Sequence, residues 1–533
     1  MEKRLLIALG LSLAVLFLFQ KMSPKGPVTG APEKGATVQM EELAAFDSRG
    51  AEKNTPAVRP MQTAEKVKEE ETVIETGKYR LVFSNIGGSL KKVVLKEYSG
   101  KEEEVLQQTK DPAQSPFALK SPVFPGIEKA PYSVSKGEGY LEYSLQQPGE
   151  IQIKKRYTFD NSNDYIGLTL LVENLSKKQI NFSYEIVGPA GMVNGDEVSG
   201  RSFLQADSLV DGKIWKEKSV KNTETRKGAV AWAGLKNRYF TMILNPQRPA
   251  QEVSVQQLNK NDMLLGIEPE PLELSPGAIK EARFILYAGP IIESRIAAVD
   301  DSMTGVVDYG FFGGVSKILL SVLSFFYGWT GNWGIAIILL TLTINLLLFP
   351  LTKKSFLSMQ QMKKLQPHMQ QLKEKHKDNP QKLNKEMMEL YKKYNVNPLG
   401  GCLPLLLQMP IFISLYQGLM RSVNLKGANF LWITDLAKPD AVGIPFSLPL
   451  IGDSVNILPI LMVGAMFLQQ KLSQGATAAV SNEQAGQQKM MMVIFPLFFG
   501  FLFYKMPSGL VLYWLTNTVL MVTEQTLIAK KHS

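Results

Sequence analysis

The sequence predicts a polytopic α-helical membrane protein, with six transmembrane helices, carrying a large all-β sandwich domain outside the membrane. Three observations lead there. The 533-residue chain has a mean hydropathy of −0.03, yet its two halves differ sharply. Residues 23 to about 300 are polar and mixed, and from about residue 70 their apolar residues recur at every second position. Residues 301–533 alternate long apolar runs with basic loops.

The chain begins MEKRLLIALGLSLAVLFLFQKM. Lys3 and Arg4 precede about 15 apolar residues, the length of a signal-peptide core or a short anchor. Neither a small-x-small cleavage pattern nor a lipid-accepting cysteine follows. Residues 1–22 therefore read as an uncleaved transmembrane anchor with a cytoplasmic N-terminus. Residues 23–60 are rich in Pro, Gly, Ala, Lys and Glu without periodicity and read as a flexible linker.

Residues 61–300 form the expected β-domain. In KYRLVFS, Tyr79, Leu81 and Phe83 alternate with polar neighbours. IQIKKRYTF, YIGLTLLVEN and INFSYEIVG behave similarly, WAGLKNRYFTMIL adds an apolar strand, and EARFILYAGP supplies the last. Many short strands separated by turn residues predict a sandwich. The segment holds no carboxylate pair of interpretable spacing, so a glycosidase has no support. The fold alone names no function.

In 301–330, GGVSKILLSVLSFFYG places Val315, Ile318, Leu319, Val322, Phe325 and Phe326 at helical spacing, with Lys317, Ser321 and Ser324 opposite. This predicts an amphipathic helix lying on the outer membrane surface, or else one packed on the β-domain. Residues 331–533 contain five further spans: 333–351, 399–420, 455–470, 490–504 and 508–527. Some fall short of the roughly 20 residues a straight span needs. Pro404, Pro410 and Pro496 are expected to kink their helices.

Residues 353–396 carry eleven lysines and four acids, which places this loop in the cytoplasm. Both termini are then cytoplasmic and the β-domain is outside. The net charge of +10 is thus a topology signal, and DNA is not a partner.

The same loop reads as a helical hairpin broken at Asp378-Asn379-Pro380, with Asn379 the N-cap and Pro380 the first helical residue. Met359, Met362, Met369 and Leu372 form one stripe; Leu383, Met387, Leu390, Tyr391 and Tyr394 form another. The stripes pack together, or the adaptable methionines also touch apolar partners. Outward lysines suit anionic lipid or ribosomal RNA. The lone Cys402 excludes an internal disulfide and reads as a buried thiol. His368, His376 and His532 make no metal-site spacing.

FPLTKKSFLSMQQMKKLQP, EMMELYKKYNVNPLGGCLPLLLQMPIFISLYQGL and MPSGLVLYWLTNT closely resemble the YidC/Oxa/Alb family of membrane protein insertases. GNWGIAI and the YAGP at 287–290 fit as well. The resemblance is strong from about residue 300 onward and looser in the β-domain, which is typical of the Gram-negative form with a large periplasmic domain. It implies a bacterial inner-membrane protein that inserts and folds nascent membrane proteins, alone or with the Sec translocon. The implied device is a hydrophilic groove open to cytoplasm and lipid. No cofactor, no ATP and no enzymatic step are implied. The implied partners are nascent membrane proteins, the Sec translocon, the phospholipid bilayer and, through the basic loops, the ribosome. Two other readings compete: a small-molecule transporter, although the spans show no convincing repeat, and an envelope sugar-binding protein.

Most family members carry an arginine five residues before the proline of the FPLTK-like motif; here that position is Asn345. Thr341, one turn earlier, matches a family hydroxyl, and Trp514 stands where a tyrosine is usual. The resemblance makes Thr341, Asn345, Gln408, Tyr513, Trp514 and Asn517 the client groove, and Met359, Met362, Met369 and Met387 client contacts in the hairpin. The alternative is that the amides only join helix to helix, worth about 0.6–2 kcal/mol each. Arg421 is a candidate to replace the missing charge.

Overall fold

The computed structural model describes residues 68–98, 101–106, 111–159, 164–193, 203–259, 262–377, 379–394, 396, 403–448, 452–473 and 482–532. The predicted anchor at 1–22, the linker at 23–60 and Cys402 lie outside them.

Alternation builds the β-domain. On Tyr79–Ser84, Tyr79, Leu81 and Phe83 are buried while Arg80 and Val82 are half-buried. This strand belongs to a four-stranded antiparallel sheet paired in chain order, Glu71–Glu75, Tyr79–Ser84, Ser89–Tyr98 and Lys101–Leu106. A second, 13-stranded sheet contains the meander Ser133–Gly137, Tyr140–Gln147, Ile151–Phe159 and Tyr165–Asn174, continued by Ile279–Pro290. The inner faces of the two sheets share one core, where Phe83 of the small sheet lies 4.7 Å from Tyr157 of the large one.

Two expected strands are hairpins or broken pieces. WAGLKNRYFTMIL is the end of Thr223–Lys236 and the start of Phe240–Pro246, paired antiparallel. Asn237 makes the turn: its Oδ1 accepts from the Tyr239 and Phe240 amides at 2.9 and 2.8 Å. INFSYEIVG splits into Ile180–Phe182 and Glu185–Val187, which join different sheets.

The helices are α1 (Glu293–Ala297), α2 (Gly313–Thr330), α3 (Trp333–Lys375), α4 (Pro380–Lys393), α5 (Leu403–Arg421), α6 (Ile457–Ser473), α7 (Asn482–Phe503) and α8 (Ser508–His532). α2 ends at Gly331, whose φ of 65° is a left-handed conformation that suits glycine. Asn332 then caps α3, accepting from the Ile335 amide at 3.1 Å. α3 does not stop at residue 351 as expected. It runs through Pro350 and Pro367 for 43 residues, carrying the apolar span straight into the lysine-rich segment. A proline removes one backbone hydrogen bond; Thr352 adds a donor nearby, to the Leu348 carbonyl at 2.7 Å. α4 begins as predicted, with Asn379 accepting from the Lys382 amide at 3.0 Å and Pro380 in the first turn.

Among the described residues one helical segment, Trp333–Met362, is by itself long and apolar enough to cross a bilayer; Ile457–Leu472 and Val493–Phe503 are apolar but shorter. Between the expected spans 399–420 and 455–470 lies a hairpin of Val442–Leu448 and Gly452–Val455.

Candidate functional site

The helical bundle has a polar seam where α3, α5 and α8 meet. Asn345 is carried inward by α3 on the face that also buries Ile337, Thr341 and Ile344. Its Nδ2 donates to the Thr341 carbonyl and to Oδ1 of Asn517 on α8, both at 2.9 Å. Asn517 Nδ2 points to the Met521 sulfur at 3.7 Å. Asn345 is only 9% exposed. Thr341 is fully buried and donates to the Ile337 carbonyl at 2.7 Å, so its hydroxyl proton is committed to its own helix.

One turn before Asn517, Tyr513 is fully buried and accepts from Gln408 Nε2 of α5 at 2.6 Å. Trp514 faces elsewhere. It packs edge-on against Phe412 at 4.7 Å and near Phe503 and Phe499 at 5.3 and 5.6 Å. The six predicted groove residues thus divide into two hydrogen-bonded pairs, one self-satisfied threonine and one aromatic-cluster residue. Both pairs join helices across this seam.

The hairpin methionines largely gather. Met369 is buried with Leu365 and Val396, and Met362, Met387, Leu390 and Tyr391 pack around them. Met359 is half-buried outside that cluster. Met388, which sequence reasoning passed over, is 53% exposed on α4.

Arg421 does not replace the absent arginine. It ends α5, thirteen residues beyond Gln408, about 20 Å along a helix rising 1.5 Å per residue. There it pairs with Asp308 at 2.9 Å. Burial raises the Asp308 carboxyl, but Arg421 and nearby lysines outweigh it and hold it below its ordinary value. Lys317 on α2 pairs with Glu293 at 2.7 Å.

The join between β-domain and helices was not anticipated. Arg238, in the Asn237 turn, donates to the Met420 carbonyl at 2.5 Å at the end of α5. A cation at a helix C-terminus is favourably placed. Lys426 ion-pairs with Glu103 and lies 5.1 Å over the Phe240 ring. Ser316 of α2 donates to the Ser414 carbonyl of α5 at 2.7 Å. These partners lie about 100 residues or more apart, and no local pattern announces them.

Fold and seam together define a class: an apolar helical bundle with a polar interior, joined to a large β-sandwich. The YidC periplasmic domain family matches residues 71–322, and the 60Kd inner membrane protein family matches residues 325–533. The membrane protein insertase YidC of Geobacter sp. (strain M21) is 34% identical over 554 residues, covering 99% of each chain. That of Citrifermentans bemidjiense is 34% identical over 557 residues, again 99% of each. This chain belongs to the YidC family of membrane protein insertases. A solved structure of an active YidC insertase, with its first transmembrane domain resolved, aligns over 88% of this chain and 94% of its own. Its identity is 21% and its TM-score 0.35. A putative aldose 1-epimerase from Escherichia coli K12 aligns over 42% of this chain and 99% of its own, with 10% identity and a TM-score of 0.34.

Proposed function

We propose that this chain inserts and helps fold proteins of the bacterial inner membrane, alone or with the Sec translocon. The observation that carries the reading is the Asn345–Asn517 seam buried in an apolar bundle, in a chain of this family. A client's polar segment must cross about 30 Å of hydrocarbon, where each unsatisfied polar group costs several kcal/mol. A seam of paired amides offers such groups partners partway. The client's apolar segment then leaves sideways into lipid, driven by its own burial, so no catalytic residue is required.

The rest of the architecture follows from this reading. The anchor and five further helices make six spans, with both termini cytoplasmic and residues 61–300 in the periplasm. α2 lies on the outer bilayer surface: Ile318, Phe325 and Trp329 are 65%, 70% and 80% exposed. The hairpin 353–396 faces the cytoplasm, where Met359, Met362, Met369 and Met387 receive clients and the lysines meet lipid or ribosome. Opening Thr341, Asn345, Gln408, Tyr513, Trp514 and Asn517 to a client requires the seam to part.

The test is insertion of a short two-span client into liposomes holding only this protein, with Asn345→Arg and Asn345→Leu compared. The unchanged protein and Asn345→Arg insert, and Asn345→Leu loses most activity. If only the arginine form works, a fixed positive charge is required and polarity alone is insufficient. Failure of all three, with correct folding, overturns independent insertion.

A further inference from the structure

Across the expected spans 333–351, 399–420, 455–470, 490–504 and 508–527, Glu524 is the one charged residue. An acid at such depth is costly, and residues of this kind almost always face a cavity or a partner. The geometry gives its level. A Cβ on Gly509 of α8 would meet Ile337 of α3 at 3.3 Å, and Asn517 meets Asn345 at the same 172-residue offset, so α3 and α8 run parallel. Carried on, that offset sets Glu524 beside Thr352, where the apolar part of α3 gives way to Lys353 and Lys354. Glu524 therefore stands at the lysine-rich end of the bundle, about 24 Å along α8 from Ser508 at ~1.5 Å per residue.

The polar seam leads to it. Asn517 Nδ2 points to the Met521 sulfur, and Gln469 Nε2 of α6 points to the same sulfur at 3.6 Å. Gln470 follows Gln469, and Glu524 is one turn past Met521 on the same face of α8. Oε1 of Gln470 and Oε2 of Glu524 are both buried, and neither accepts a hydrogen bond among the described residues. Both residues are otherwise half-buried, so these oxygens sit just beneath the surface. Buried polar atoms normally have partners. Two acceptors call for a donor, and a carboxylate calls for a positive one. An ammonium or guanidinium group meets both needs.

A client whose apolar segment leaves through the seam brings its cytoplasmic flank to this level. Flanks that stay in the cytoplasm are rich in Lys and Arg. We propose that Glu524, with Gln470, receives a lysine or arginine of that flank, and so favours clients whose retained flank is basic. The inference rests on the insertase reading of the same seam. With Asn345 at the position where the family usually has arginine, the spans hold no positive charge to oppose the incoming cation.

The test places the full chain in phosphatidylcholine liposomes, whose surface carries no net charge. Three single-span clients differ only in the flank that stays on the side of addition, which is built of lysines, glutamines or glutamates. The lysine client inserts about fivefold better than the glutamate client, the size of a partly exposed ion pair, with the glutamine client between. Glu524→Gln removes most of that ratio. A carbodiimide, which joins a carboxylate to an amine, couples Glu524 to a lysine of the client flank. Equal insertion of the three clients overturns the proposal without recourse to a variant. A ratio that survives Glu524→Gln overturns it too, as does coupling of Glu524 to a lysine of this chain, which would make the pair internal. If the glutamine client inserts and flank charge makes no difference, this inference alone fails. If no client inserts, the insertase reading beneath it fails as well.

Discussion

The β-domain buries Lys155 and the helical bundle buries Asn345, and the two are satisfied in opposite ways. Lys155 is fully buried on the inner face of Ile151–Phe159. Its ammonium donates to the carbonyls of Gly87 and Phe117 at 2.6 and 2.7 Å and lies 5.1 Å over the Tyr132 ring. Both carbonyls belong to residues in left-handed conformation, with φ of 69° and 68°. For Phe117 that costs on the order of 1 kcal/mol or more. A charge is thus spent on fixing two loop carbonyls, one of them on the strained Phe117. Asn345 uses a neutral amide and gains one partner on another helix. A charge fixed by two carbonyls pins a fold in place; a neutral pair costs less to part. The comparison teaches that a buried polar group is held by a cation and two loop carbonyls in one half and by a neutral interhelical pair in the other.

The largest effect expected from breaking this contrast is at Lys155. Burial pushes its pKa down to about 7, against about 10.4 in an unfolded chain. The folded state therefore binds fewer protons between those values, and stability rises with pH across that window and is flat below it. The difference integrates to on the order of 5 kcal/mol. The neighbouring Tyr143, pushed up to about 12 by burial, subtracts only above about pH 10. Calorimetry of the full chain from pH 6.5 to 9.5 should show the β-domain transition rising, and Lys155→Met should flatten the rise. Parallel slopes in the two proteins would show that Lys155 stays charged when folded.

Much of this was legible in the sequence, for reasons that differ by region. Period-two alternation in IQIKKRYTF puts Lys155 on the same face as Ile151, Ile153 and Tyr157, so its burial could be read. Its partners could not, since they come from 68 and 38 residues away. The amide in LTINLLLFPL was conspicuous as a polar group in an apolar run, but Asn517 is 172 residues distant. WAGLKNRYFTMIL misled because apolar content hid the turn that Asn237 makes. α3 was cut short because composition changes at Pro350 while helical hydrogen bonding does not. Local chemistry announces faces, caps and charge; tertiary pairing decides which of them meet.

A smaller effect tests the other side of the comparison. Removing either amide of the Asn345–Asn517 pair strands its partner in an apolar interior, yet measured bonds of this kind in membranes average only about 0.6 kcal/mol and reach about 1.7. A double-mutant cycle of Asn345→Leu and Asn517→Leu, read by unfolding in detergent, should give a coupling in that range. Insertion of a two-span client should fall much further than stability does. A coupling well above 2 kcal/mol, with insertion tracking stability, would place Asn345 with Lys155 as a structural group.

The smallest effect is expected one turn away, at Gln408 and Tyr513. Their bond is short, 2.6 Å, and Tyr513 is fully buried, so geometry alone suggests a strong contact. Three features argue for a modest one. Both groups are neutral, the Tyr513 ring keeps its packing when only the hydroxyl is lost, and Gln408 is only partly buried, so its amide retains other outlets. Tyr513→Phe should therefore cost about 0.5–1 kcal/mol in detergent unfolding, and Gln408→Leu no more. Trp514 separates the two explanations of any larger loss, because it packs on Phe412, Phe499 and Phe503 and shares no hydrogen bond with Gln408. If Gln408→Leu impairs insertion while Trp514→Phe does not, the hydrogen-bonded seam carries the client. If Trp514→Phe is the more damaging, the aromatic cluster is the surface a client slides along, and the polar pairs only hold the helices beside it.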